Sequence, residues 1–183
     1  RGFDTDIREA LVTCMSNRGI DLRLNTNVTR LERQSSGAIA AYLDSGGSVE
    51  VDCVLFATGR RPATSGLGLD AVGVVCNSAG QVVVDDNFQT SVPSIYALGD
   101  VSSRMQLTPI ALAEAMTLLD HLYGTGERTM SYEMVPTAVF SQPPIGTVGM
   151  TEAAAREALG SVRVYVSSFR PMQLTMTDIV ERS

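Results

Sequence analysis

Ile95-Tyr96-Ala97-Leu98-Gly99-Asp100, followed after a short loop by Leu107-Thr108-Pro109 and an apolar helical run, is the stretch that decides the fold class. It reads as a buried strand that ends in a carboxylate beside the start of a helix, which is how an α/β protein holds a polar cofactor. The strand supplies an apolar wall, Gly99 lets backbone or ligand come close, and Asp100 can accept hydrogen bonds from ligand hydroxyls. A helix entered at Thr108 and Pro109 turns free N–H groups and a positive dipole end toward the same place. An electron-rich ring or an anion suits that spot.

Outward from this stretch, the chain alternates helix and strand signals. Asp4 or Thr5 can cap a helix with Ile7, Ala10, Leu11, Cys14 and Met15 on one face and Gly19 as its stop. Ile20 to Leu24 reads as a short strand, Asn27 to Arg33 and Ala38 to Leu43 as β segments, and Ser45-Gly46-Gly47-Ser48 as a hairpin turn. Cys53-Val54-Leu55-Phe56-Ala57 is continuously apolar, which predicts a strand buried on both faces. It runs into Thr58-Gly59-Arg60-Arg61-Pro62, a domain crossing that touches a ligand. Leu67 to Ala71 predicts a helical turn, Gln81 to Val84 a short strand, and Pro109 to Tyr123 a largely buried helix. Pro136 to Ser141, a rigid Gln142-Pro143-Pro144-Ile145-Gly146 turn, Thr147 to Met150, a helix capped by Thr151 and a strand from Val162 to Phe169 predict a ββαβ unit opening another domain.

The chain has 183 residues, 44% of them hydrophobic, and a formal net charge of −6, so it can bury a core and is a poor partner for nucleic acid or an anionic membrane surface. No apolar run reaches the roughly 20 residues that span a bilayer, and a cytoplasmic setting is the expectation. The three cysteines, Cys14, Cys53 and Cys76, have neither metal-knuckle nor disulfide-framework spacing, and Cys14 and Cys53 read as core thiols. No metal site is expected. His121, the single histidine, reads as a residue near a helix C-terminus. Arg1 in place of Met, and an unfinished layer after Phe169, predict a piece of a longer protein.

Ala57-Thr58-Gly59-Arg60-Arg61-Pro62, Ile95 to Asp100, Leu107-Thr108-Pro109 and Phe140-Ser141-Gln142-Pro143-Pro144-Ile145-Gly146-Thr147-Val148-Gly149 stand in an order and spacing that resembles the class I flavin-dependent pyridine nucleotide disulfide oxidoreductases, in particular their bacterial glutathione reductase branch. The first two motifs mark the superfamily. The last two, with Arg1-Gly2-Phe3-Asp4, separate glutathione and trypanothione reductases from lipoamide dehydrogenases and mercuric reductases. The likeness covers essentially the whole chain. It implies an α/β fold made of parts of FAD- and NADPH-binding Rossmann-like domains plus the start of an α+β dimerisation domain. Residues 1–58 would be the C-terminal part of the NADPH domain, 59–130 the returning part of the FAD domain, and 131–183 the start of the interface domain of a homodimer.

The resemblance also implies site residues. Arg1 would bind the 2′-phosphate of NADPH, a task suited to an always-charged, two-pronged guanidinium. Gly59 and Gln106 would touch the cofactor through backbone groups, Arg60 is counted with them, and Ala138 would line the nicotinamide pocket. Asp100 would accept from the ribityl chain of FAD, while Thr108 would offer its N–H to the pyrimidine end of the flavin, where reduction develops negative charge. Arg61 reads as a solvated surface charge. The implied reaction carries hydride from NADPH to FAD and on through a cysteine pair to glutathione disulfide. That cysteine pair, both Gly-rich phosphate loops and the His-Pro segment of the family are absent here, so no catalytic residue is expected in this chain and the chain alone is expected to be inactive. Met116 stands where many glutathione reductases carry an arginine for the substrate carboxylate, which opens trypanothione or a related disulfide as an alternative. A further alternative is a cofactor-free, non-catalytic assembly module.

Overall fold

The computed structural model describes residues 2–102, 105–169, 172 and 175–177. Its backbone clusters into two units: residues up to Val54 together with those from Tyr132 onward, and Leu55–Ser131. The fold class is the expected α/β.

In the first unit, helix α1 spans Thr5–Asn17. It stops because Gly19 takes φ +80 and donates its N–H to the Ser16 carbonyl at 2.9 Å, a left-handed exit that a side chain would strain. Asp4 occupies the N-cap position, yet its carboxylate makes no cap bond to its own helix. Strands β1 (Val28–Arg33), β2 (Ile39–Leu43) and β3 (Ser48–Val51) form an antiparallel sheet in that order, with Leu31 opposite Ala41 and Ala41 opposite Val49. Ala40 and Ala41 of the central strand are buried. Asp44 fastens the open end of the β1–β2 pair, accepting from the Asn27 backbone N–H at 2.9 Å and from the Asn27 side-chain amide at 2.8 Å.

The later segment of this unit holds β4 (Thr137–Val139) and β5 (Ile145–Thr147), paired antiparallel across a turn that contains the cis Gln142–Pro143 peptide. Helix α4 follows at Glu152–Leu159. Its first N–H groups are satisfied from two sides: Thr151 Oγ1 accepts from Ala154 at 3.3 Å, and Asp4 Oδ1 accepts from Glu152 at 2.7 Å. Thus the carboxylate placed to cap α1 caps α4 instead. At the other end of α1, Arg18 donates to the Gln142 side-chain oxygen at 3.3 Å, so both ends of one helix are tied to the later segment.

The second unit is mostly irregular. Short helix α2 (Leu69–Val72) lies between Gly68 and Gly73, and isolated bridges join Cys76 to Val82 and Gln89 to Tyr96. Helix α3 spans Thr108–Tyr123. Val74, Val82, Phe88 and Ile110 are the buried apolar side chains here. Phe88 is fully buried at φ +63, a conformation that costs an aromatic residue about 1–3 kcal/mol and that the surrounding contacts must hold. Its N–H donates to Asp85 and its carbonyl accepts from Ala97.

Several expected strands do not form. Ile20–Leu24 breaks into a turn at Leu24 and Asn25, Cys53–Ala57 and Val162–Phe169 form no strand, Gln81–Val84 and Ile95–Leu98 are reduced to single bridges, and the strand expected at Thr147–Met150 forms instead at Ile145–Thr147, where Gly146 and Ile145 pair with Ala138 and Val139. A strand exists only beside another strand that takes up its N–H and C=O groups in a ladder, and among the described residues the first three segments join no such ladder. Leu55 is consequently 88% exposed, and Cys53 is an exposed thiol rather than a core one. Cys14 is half-buried. Helix α3 is also less covered than its composition suggests: Ile110, Glu114 and Thr117 are buried, while Leu112, Met116 and Leu119 are exposed.

Candidate functional site

The site is assembled where the Ile95–Leu98 segment meets α3. Gly99–Val101 forms a single 3-10 turn that packs against this helix. Gly99 is needed for two reasons: it adopts φ +67, and a Cβ there would stand 3.2 Å from the Ala111 methyl. Its carbonyl accepts from both the N–H and the hydroxyl of Ser102, each at 3.1 Å, which closes the turn. Asp100 then emerges with its side chain 40% exposed and facing Arg60, whose Nη2 lies 3.4 Å from Asp100 Oδ2. Arg60 is 77% exposed, so the pair is a solvated one worth less than about 1 kcal/mol.

At the head of α3, Leu107 is the N-cap residue and its carbonyl accepts from Ile110 and Ala111. Thr108 is exposed, and its N–H finds no acceptor among the described residues. The helix therefore ends in an open donor with the positive end of a dipole behind it. Gln106 is exposed in the loop leading to it. Gly59 is also exposed, at φ +107, one residue before Arg60. An accessible carboxylate that accepts and an open helix N-terminus that donates suit a ligand carrying hydroxyls at one end and an electron-rich ring at the other. This donor set fits FAD.

The remaining expected residues are placed separately. Ala138 belongs to the first unit, opposite Gly146 in the β4–β5 pair, and lines an open groove of about 400 Å³ with Pro136, Thr137, Thr147 and Val148. Small side chains on a paired ribbon leave a flat floor there. Met116 is half exposed beside Leu119, Tyr123 and Arg128 in another open groove. Arg1 lies outside the described residues. Arg61 is exposed, as is His121 in the last turn of α3. Among the described residues no group of three His, Cys, Asp or Glu could hold a metal, and no helix is long and apolar enough to cross a membrane.

Sequence reasoning passed over Glu114. It is 1% exposed, and its Oε2 accepts the Gly99 N–H at 2.6 Å. The signal was present: Ile110, Glu114 and Thr117 stand at i, i+4 and i+7, so a carboxylate interrupts the one stripe of α3 that faces inward.

The family described as pyridine nucleotide-disulphide oxidoreductase matches residues 1–115, and the dimerisation domain of the same family matches residues 135–182. Over its whole length the chain is 44% identical to a glutathione reductase of Burkholderia cepacia, of which it covers 40%. It is 40% identical over 172 residues, 94% of the chain, to a trypanothione reductase of Trypanosoma congolense, of which it covers 35%. Among solved structures, the HOCl-induced flavoprotein disulfide reductase RclA of Escherichia coli superposes with a TM-score of 0.79 at 35% identity, over 85% of this chain and 36% of that one. The chain thus spans between a third and two fifths of the length of these relatives.

Proposed function

The chain belongs to the pyridine nucleotide-disulphide oxidoreductase family, whose cofactors are FAD and NADPH, and from that premise we propose that it is the part of an NADPH-dependent glutathione-disulfide reductase that holds one side of the flavin. The observation that carries this reading is the Gly99–Asp100 turn packed against the open N-terminus of α3. Bound FAD supplies the ring that takes hydride from NADPH and passes two electrons toward a disulfide.

The chain's own residues bind and orient. Asp100 accepts from the ribityl hydroxyls, with the Arg60 guanidinium beside it to aim the carboxylate. The Thr108 N–H and the dipole of α3 favour negative charge at the pyrimidine end of the ring. Gly59 and Gln106 touch the cofactor through backbone groups, Ala138 offers the nicotinamide a flat apolar surface, and Arg1 holds the NADPH 2′-phosphate. Cys14, Cys53 and Cys76 are too far apart in sequence to be a C-x-x-x-x-C pair, so the disulfide relay falls to other parts of the enzyme. Residues 1–58, 59–130 and 131–183 are assigned to the NADPH, FAD and interface domains of a cytoplasmic homodimer.

In the full-length enzyme, Asp100→Asn is expected to weaken FAD binding roughly tenfold, the worth of one charge-assisted hydrogen bond. Titration of FAD into the apoprotein measures it, and unchanged affinity removes the flavin assignment. NADH used as readily as NADPH removes that of Arg1.

A second substrate, trypanothione disulfide, is favoured by one feature. Met116 is 50% exposed and carries no charge, where recognition of a glycine carboxylate calls for a cation. Turnover of the two disulfides by the same preparation separates the readings: a glutathione rate below the trypanothione rate selects the second.

A further inference from the structure

Glu114 is a buried carboxylate with no part in the contacts proposed above. Taking a carboxylate out of water costs several kcal/mol unless strong hydrogen bonds replace the solvent. One such bond is the short one from the Gly99 N–H. The placement is specific in what it controls. Gly99 immediately precedes Asp100, and its left-handed φ sets the direction in which Asp100 leaves the turn. With the Gly99 carbonyl held by Ser102 and its N–H held by Glu114, both backbone groups of that peptide neighbourhood are fixed.

Glu114 also sits six residues beyond Thr108 on the same helix. A rigid element that offers a donor at its first residue and grips the Asp100 turn further along keeps the two at constant spacing. We propose that Glu114 is a positioning residue for the flavin site, anchoring the Gly99 N–H to α3 so that Asp100 and the Thr108 N–H meet one cofactor together. This inference rests on the reading of Asp100 as the ribityl acceptor.

The test uses the full-length flavoprotein with FAD affinity, flavin circular dichroism and the melting temperature of the apoprotein as readouts. Glu114→Asp keeps the charge but is one methylene too short to reach Gly99; it should weaken FAD roughly tenfold and change the flavin dichroism. Glu114→Gln keeps an acceptor oxygen at full reach and should stay within about twofold of the parent. Combining Glu114→Asp with Asp100→Asn should weaken FAD no further than Asp100→Asn alone, because a misaimed carboxylate and an absent one lose the same contact. Parent-like FAD affinity in Glu114→Asp, with Asp100→Asn weakened, overturns this inference alone. Losses that multiply in the double variant also overturn it, since they mark a role independent of Asp100. Unchanged affinity in Asp100→Asn overturns the flavin reading beneath it. If Glu114→Asp does not fold, Glu114→Gln decides, and a loss as large as that of Asp100→Asn refutes the proposal.

Discussion

Asp120 shows how much one side chain can organise. Its carboxylate accepts from the N–H of Arg128 at 2.9 Å and of Thr125 at 3.3 Å, while its carbonyl accepts from Gly124 and Gly126. The Arg128 N–H, assisted by those of Thr125 and Glu127, holds the Asp120 carboxyl below the ordinary carboxylate range against a smaller opposing effect of desolvation. A group whose folded pKa is depressed stabilises above its unfolded value, near 4, and that contribution disappears as pH falls through the folded value. Asp120→Asn is therefore expected to melt at a lower temperature than the parent at pH 7, with the difference closing as pH falls from the ordinary carboxylate value through the depressed folded one and the parent side chain takes up its proton. A melting difference that persists at acid pH contradicts this account. Asp44 follows the same rule through the backbone and side-chain amide of Asn27.

The two-sided capping of α4 makes a prediction for a whole element. Thr151→Ala removes one acceptor and should cost about 1 kcal/mol, and Asp4→Ala a similar amount, with nearly additive effects because the two satisfy different N–H groups. Denaturant unfolding of both single variants and the double variant checks this. The way elements form also explains what could be read from sequence. Helix α1, strands β1, β2 and β4, the hairpin turn into β3 and α4 were legible because each draws its partners from nearby residues: Gly19 stops α1, Gly46 and Gly47 turn the hairpin at φ +93 and +80, and Thr151 starts α4, whereas β5 was expected two residues late because Ile145 and Gly146 follow two prolines and read as part of the turn. Cys53–Ala57 was misread because an apolar run states a wish to be buried, not the presence of strands beside it. Within the candidate site, Asp100 and Thr108 were visible through their turn and helix-start chemistry. Glu114 was hidden in an apolar helix, where hydrophobicity on most faces obscured which face turned inward.

Across the whole molecule, stability is uneven. The central strand β2 has ladder bonds on both sides and buried Ala40 and Ala41, whereas Leu55 and Phe56 are exposed and unpaired. Amide hydrogen exchange of this chain should accordingly find the N–H groups of residues 54–57 exchanging at close to unprotected rates and those of residues 40–42 at least a hundredfold slower, about 2.7 kcal/mol of local opening. Protection of residues 54–57 equal to that of β2 counts against the unpaired arrangement. The capping of Glu152 by Asp4 has a last consequence at this scale. The first unit is discontinuous: its early and late segments are separated by the entire Leu55–Ser131 unit. A ribosome delivers Asp4 long before Glu152, so the bond between them closes one of the widest loops in the chain. Such a loop costs entropy that grows only logarithmically with length, and ordering the intervening residues first shortens the free tether. Residues 55–131 thus stand to the first unit as an insert to its host, and the order of synthesis makes the host wait for its insert.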